Sequence, residues 1–245
     1  MGKKIISFSL YGDDGAYRIG ALENVAAARR IYPGWTCRFY VSQEIPGSLV
    51  RSLVDHGAEV VQNVRKHAAD GMFWRFLPAA EADVDWLIVR DVDAKLSERE
   101  KYAVDDWMES GKNFHIIRDS PGHKRLVMGG LWGCRSNAIP MMASLISSWS
   151  DFNYGDDQLF LSSQIYPLIQ HDVLIHSDFD RFEGENVTSF PAERKNYEWV
   201  GMPIFRPELL KKRQERFIRR LDRIQRSSPK KRTLLSRLLG RFASS

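Results

Sequence analysis

The chain has 245 residues, 43% of them hydrophobic, which is enough for one large core and excludes global disorder. Its net charge of +5 is unevenly distributed: from Glu208 onward the chain carries about ten net positive charges, so the remainder is mildly acidic. No apolar run approaches the roughly 20 residues of a spanning helix, and two widely separated cysteines, Cys37 and Cys134, fit a reduced cytoplasmic compartment.

In chain order, Lys4 to Leu10 reads as a first strand ending in the turn-forming loop Tyr11-Gly12-Asp13-Asp14-Gly15. Tyr17 to Tyr32 has helical spacing and stops at Pro33-Gly34. Strand Cys37 to Val41, helix Pro46 to His56 and strand Ala58 to Val61 continue the alternation. Strands alternating with helices predict an α/β protein with a mostly parallel central sheet and flanking helices. Gly71 to Leu77 opens a further helix, and Glu98 to Ser110 is predicted helical. Phe114 to Arg118 is a strand, Val127 to Gly133 a glycine-rich segment, and Ser136 to Ser148 a helix interrupted at Pro140. Helix Gly155 to Ile165 and a last strand, Val173 to Ile175, complete the body; Ser177 to Arg206 reads as loop with a short strand at best.

The tail from residue 207 to 245 is distinct from the body at 1–206. Leu210, Phe217, Leu221 and Ile224 fall on one helical face, with Arg and Lys on the others. Leu234, Leu235, Leu238, Leu239 and Phe242 repeat the pattern after Ser227-Ser228-Pro229. A basic amphipathic helix of this kind suits a peripheral position on an anionic membrane surface. Few aromatics are interleaved with the basic residues, so nucleic acid is not expected as a partner.

Val84 to Leu96 is the stretch with the strongest chemical signal. Four consecutive apolar residues, Trp86 to Val89, suit a strand buried on both faces, and Arg90-Asp91-Val92-Asp93 follows at its carboxyl end. Open α/β sheets bind ligands at that end of their strands. Two carboxylates one residue apart can turn toward a hard divalent cation, and such a cation suits a nucleotide diphosphate. The plainer reading is a surface turn holding two acids.

The order of these parts resembles the GT-A glycosyltransferases: Arg75 in FWRFL, then the Asp91-Val92-Asp93 strand, then Asp157-Gln158 opening a helix, then His176 after a core strand. The closest likeness in motif order is to the branch containing glycogenin and the lipooligosaccharide galactosyltransferases. It covers roughly Lys3 to His176.

The resemblance implies a Rossmann-like GT-A fold and a nucleotide-diphosphate sugar donor of UDP or GDP type. It also implies a glycan or lipid-linked acceptor and a bound Mn²⁺ or Mg²⁺. Asp91, Asp93 and His176 would hold the metal. Ser9, Tyr11, Arg18, Arg75, Arg90 and Val92 would bind the donor, and Asp157 with Asp156 would serve the acceptor hydroxyl. His115, Arg118, His123, Gly129, Gly130 and Trp132 would form the wall for the sugar or acceptor.

Each assignment has a structural alternative. Arg90 could pair with a neighbouring acid, His176 could be a core histidine, Trp132 could fill the core, and acids in a helix's first turn favour its dipole. Two features depart from the branch: Arg90 precedes the first aspartate, and Ser177-Asp178-Phe179-Asp180 stands where a Gly-Lys-Pro-Trp element is usual. Two other functions use related features: a haloacid-dehalogenase-like phosphatase, whose Asp-x-Asp follows its first strand, and a non-catalytic binder of nucleotide sugars or membrane surfaces.

Overall fold

The computed structural model describes residues 2–227 apart from 68, 136, 151, 180, 196 and 206. The second leucine-rich segment of the tail, 234–242, and Asp180 therefore lie outside the described residues. The amino-terminal half alternates as the sequence predicts. It runs β1 (Lys3–Leu10), α1 (Gly15–Ile31), β2 (Thr36–Ser42), α2 (Gly47–Asp55), β3 (Glu59–Asn63), the single turn α3 (Gly71–Trp74) and β4 (Val84–Arg90). Then come α4 (Glu98–Glu109), β5 (Phe114–Arg118), β6 (Leu131–Arg135), α5 (Met142–Ser148), α6 (Asp156–Phe160), α7 (Tyr166–Ile169), β7 (Val173–Ser177), the two-residue β8 (Val187–Thr188) and α8 (Pro207–Ser227).

The eight strands form one sheet in the order β3-β2-β1-β4-β6-β5-β7-β8. All pairings are parallel except those of β6, which runs antiparallel to both β4 and β5. This is the Rossmann-like, mostly parallel α/β layout expected from the sequence. Strand β6 is the departure: the glycine-rich segment continues into a strand because Gly133 lets the backbone pass Leu87. A Cβ at Gly133 would fall 2.6 Å from the Leu87 carbonyl oxygen.

The chain between β6 and β7 also departs from expectation. The helix predicted over 136–148 starts only at Met142, past Pro140, since proline disfavours helix in the residue before it. The helix predicted over 155–165 is instead α6 followed by a π-helical turn, Leu161–Ile165.

Side chains on a strand alternate between the two faces of the sheet. On one face Leu87 and Val89 of β4, Phe114 and Ile116 of β5 and Trp132 and Cys134 of β6 pack with Phe73, Phe76 and Phe160. On the other, Ile88 of β4 packs with Phe8, Phe39 and Ile6, α1 and Trp107 of α4. The parity of β4 thus sends Arg90 to the α4 side and Asp91 to the opposite one.

Helix α8 is not a free appendage. Phe217 and Leu221 are buried with Trp199 and Met202, and Leu210 packs beside them. The Phe217 ring stacks on Trp199 with centroids 5.0 Å apart and meets Phe179 edge-on at 5.8 Å. Of the apolar stripe that the sequence suggested for a membrane surface, Phe217 and Leu221 are buried against the body, with Leu210 beside them. Among the described residues no helix is long and apolar enough to cross a membrane.

Candidate active site

Strands β2 and β3 lie on one side of β1 and β4 on the other, so the chain reverses its direction of sheet growth between β1 and β4. Open α/β sheets bind ligands at such a switch point, outside the strands' carboxyl ends. A cleft of about 530 Å³ opens there, within the range of small-molecule sites. Ser9 and Tyr11 line it from the end of β1, Asp91, Val92 and Asp93 from the end of β4, and His123 from the loop after β5. Because β6 is antiparallel, its start sits at this same edge. Gly129 lines the cleft, and Gly130 lies so close to Asp91 that a Cβ there would come within 2.4 Å of the carboxylate carbon.

Arg75 ties the floor together. Its backbone N–H donates to Ser9 Oγ at 3.2 Å, one guanidinium nitrogen pairs with Asp91 Oδ1, and the other donates to Asp157 Oδ2 at 2.9 Å. Burial opposes the charge on Arg75, but Asp91 and Asp157 together hold its pKa above the ordinary value. Burial lifts the Asp157 carboxyl, and the Arg75 charge partly offsets that. Gly129 is required here, since a Cβ would fall 2.2 Å from Asp157 Oδ2.

Tyr11 is held as a neutral phenol by burial, with its ring over Gly71 and edge-on to Trp74. Burial brings the His123 pKa down to about 4. Its Nδ1 accepts from the Asp119 N–H at 3.1 Å, which assigns the proton of the neutral ring to Nε2.

The Asp-x-Asp loop is held from behind by a residue that sequence reading did not single out. Buried Asn24 on α1 donates from Nδ2 to the carbonyls of Val92 (3.2 Å) and Ala94 (2.9 Å) and accepts the Leu96 N–H at Oδ1 (3.1 Å). Gly20, one turn earlier, allows this approach: a Cβ there would fall 2.0 Å from the Val92 carbonyl oxygen.

Several expected site residues lie elsewhere. His176 is not with Asp91 and Asp93. It is fully buried, its Nε2 donates to Asp106 Oδ2 at 3.0 Å, and its Nδ1 sits 2.8 Å from His115 Nε2. Both ring nitrogens are thus engaged, and burial holds both histidines neutral by lowering their pKa values. His115 is consequently not a sugar-wall residue: it stacks on Trp107 behind the sheet.

Arg90 is buried against Glu100, Nε to Oε1 at 2.5 Å, with Tyr32 donating to the same oxygen at 3.0 Å. Arg118 is fully buried, paired with Glu185 at 2.5 Å. Trp132 is fully buried in the core against Phe76. Asp156 accepts the Asn153 N–H at 2.7 Å and does not line the cleft; nor does Arg18, half-buried on α1. Arg90 follows the plainer ion-pair alternative because strand parity turns it to the α4 side, and Trp132 follows the core alternative, packed among Phe76 and its neighbours.

Another wall of the cleft comes from the carboxyl-terminal part of the chain. Trp199, Phe217, Arg213, Arg216 and Arg220 line the cleft. A buried ionic network supports this wall. Asp119, at the end of β5, accepts Arg194 at 2.5 Å and Arg99 at 2.9 Å, and the Val200 N–H at 2.9 Å. The Arg194 guanidinium lies 5.0 Å from the centre of the Phe217 ring. The arginine spacing on α8 was visible in the sequence; what was not visible is that the helix folds back over the site.

No protein-family model matches the chain, and no curated protein is similar to it in sequence. Solved structures are similar in fold. The 4-diphosphocytidyl-2C-methyl-D-erythritol synthase of Anaerococcus prevotii matches with a TM-score of 0.52 at 10% identity, over 87% of this chain and 96% of that one. A glycosyltransferase involved in glycosylation of the major capsid of PBCV-1 matches with a TM-score of 0.47 at 15% identity, over 71% and 81%. Glucosyl-3-phosphoglycerate synthase of Mycobacterium tuberculosis, in complex with UDP, matches with a TM-score of 0.46 at 14% identity, over 76% and 73%. At these identities the likeness extends to the fold alone.

Proposed function

We propose that this cleft binds a nucleotide-diphosphate sugar and transfers its sugar to a glycan or lipid-linked acceptor. The observation that carries this reading is that Asp91 and Asp93 both line one cleft at the sheet's switch point, with cationic side chains lining the same cleft. Among the described residues no group of three or more His, Cys, Asp or Glu comes together as a metal cage. Mg²⁺-type ions do not need one: one or two carboxylates plus substrate phosphates suffice, and Asp91 with Asp93 supplies that oxygen set. A bound Mn²⁺ or Mg²⁺ would neutralise charge building on the departing diphosphate.

The chain's own residues divide the remaining work. Arg75 fixes the orientation of Asp91, leaving that carboxylate half-exposed toward the cleft. Ser9 and Tyr11 face the nucleoside end, with Tyr11 a neutral donor. Asp157, lifted by burial, is the carboxylate for the acceptor side, where it accepts the hydroxyl proton or supports a transient cation. The phosphatase reading has less support, since the Asp-x-Asp follows β4 and not the first strand.

The test is incubation of the full chain with UDP- and GDP-sugars, with and without Mn²⁺, following release of free nucleoside diphosphate. Release that needs the cation and drops at least about a hundredfold in Asp93→Asn is expected, the scale of losing one preorganised electrostatic group. Undiminished release in Asp93→Asn overturns the reading. Release of sugar 1-phosphate instead, with the nucleoside monophosphate passing to an acceptor, would identify a nucleotidyl transfer.

A further inference from the structure

Helix α8 presents two faces to the body at once. Phe217 and Leu221 anchor it among Trp199 and Met202. Arg213, Arg216 and Arg220, spaced i, i+3 and i+7 on one side of the helix, line the cleft. Lys211, Lys212, Arg219 and Arg223 of the same helix are exposed and do not line it.

The charge of the cleft depends on this helix. Its floor carries Asp91, Asp93 and Asp157, against which only Arg75 among the other described lining residues is a fixed cation. Arg75 is already shared by Asp91 and Asp157. Among the described lining side chains, three carboxylates there stand against one guanidinium. The three α8 arginines reverse the sign, and among the described residues none of them is ion-paired with an acid. The guanidinium fork matches phosphate oxygens in pairs, which a lysine ammonium does not.

We infer that α8 is a built-in phosphate-binding wall, in which Arg213, Arg216 and Arg220 take the oxygens of the nucleotide's diphosphate. This rests on the reading of the cleft as a nucleotide-diphosphate site and adds the residues that make it electrostatically possible. It assigns the basic tail's first helix to substrate binding, and it accounts for why arginine and not lysine faces inward.

The experiment is calorimetric titration of the full chain with UDP, uridine and inorganic pyrophosphate. Three proteins are compared with the unsubstituted one: Arg213→Gln/Arg216→Gln/Arg220→Gln, the milder Arg213→Gln/Arg216→Gln, whose two sites are exposed and carry no packing, and the control Lys211→Gln/Lys212→Gln/Arg219→Gln. The cleft triple should weaken UDP and pyrophosphate about a hundredfold and the cleft double about tenfold, given the strength of charge-assisted bonds. Uridine should be unaffected. The control, of equal charge change, should shift each by less than about twofold, as for exposed charges. Equal losses in cleft and control variants overturn the inference, because bulk charge would then explain them. So does undiminished UDP affinity in the cleft double, the outcome expected if the arginines serve a phosphorylated acceptor instead. Pyrophosphate binding that depends on the wall, in a protein that never turns over a nucleotide sugar, upholds the wall and defeats the glycosyl-transfer reading; normal turnover in the cleft triple does the reverse.

Discussion

Replacing Arg75 with methionine removes the one cation that Asp91 and Asp157 share, at nearly constant side-chain volume. The two halves of this bridge are unequal. The Arg75 and Asp157 side chains are 8% and 4% exposed, so their pair is desolvated, whereas the Asp91 side chain is 44% exposed. Removing one partner of a buried pair costs about 3–5 kcal/mol, because the other charge is left uncompensated. The exposed half adds at most about 1 kcal/mol. A loss of about 4 kcal/mol at pH 7 is therefore expected, and most of it belongs to the stranded Asp157. Asp157→Asn in the same chain removes that stranded charge, so the double variant should recover about 2–3 kcal/mol relative to the sum of the singles. In Arg75→Met alone, the Asp157 carboxyl is lifted further by burial without its counter-charge. A folded pKa above the unfolded value means the native state binds the extra proton, so the deficit should shrink as pH falls from 7 toward about 4. Urea unfolding followed by tryptophan fluorescence, at pH 7 and pH 5, measures all of this. Single-variant losses that add within about 0.5 kcal/mol would refute the bridge as the organiser of the cleft floor.

Other expectations follow from the same geometry. Asn24→Ala strands the Val92 and Ala94 carbonyls and the Leu96 N–H; unfolding free energy should drop by about 3 kcal/mol, with weaker nucleotide binding in calorimetry because the Asp93 loop loosens. Arg90→Met should cost about 3–5 kcal/mol in denaturant, since Glu100 is buried beside it, yet leave nucleotide affinity of the folded protein within about twofold. Unfolding free energy should also fall between pH 6.5 and 4. His123, His115 and His176 all have lowered pKa values, so the unfolded chain takes up protons there before the native one. His123 alone contributes on the order of 3 kcal/mol, present above about pH 6.5 and lost by about pH 4; a flat stability profile across that window contradicts it.

The alternation of apolar strands and helices made the α/β class and the parallel half of the sheet legible. The end of β4 was legible too, because a wholly apolar run followed at once by acids has few other interpretations. Strand β6 was hidden by its glycines, which weaken any strand signal while serving close backbone approach. The misplaced residues were readable in principle. Period-two alternation sends His115 and Arg90 to the face of Ile88, away from Phe114, Val89 and the cleft floor; site residues must share a face as well as an end of the sheet. Asn24 and the role of the α8 arginines were not legible: Asn24 acts through hydrogen bonds to Val92 and Leu96, more than 65 residues away, and α8 carries an amphipathic pattern that looks the same whether the apolar side meets lipid or Trp199.

Strand β6 has a mechanical consequence. It is the seam between the β3-β2-β1-β4 half and the β5-β7-β8 half, and it joins β5 through only three register pairs, Phe114–Cys134, His115–Gly133 and Ile116–Trp132. Any splaying of the two halves has to start along that short ladder, and its upper end is where Gly130 abuts Asp91. The β5–β6 ladder is thus the shorter of the two that β6 makes, and hydrogen exchange at the amides of residues 131–135 is the measurement that shows whether the sheet opens there first.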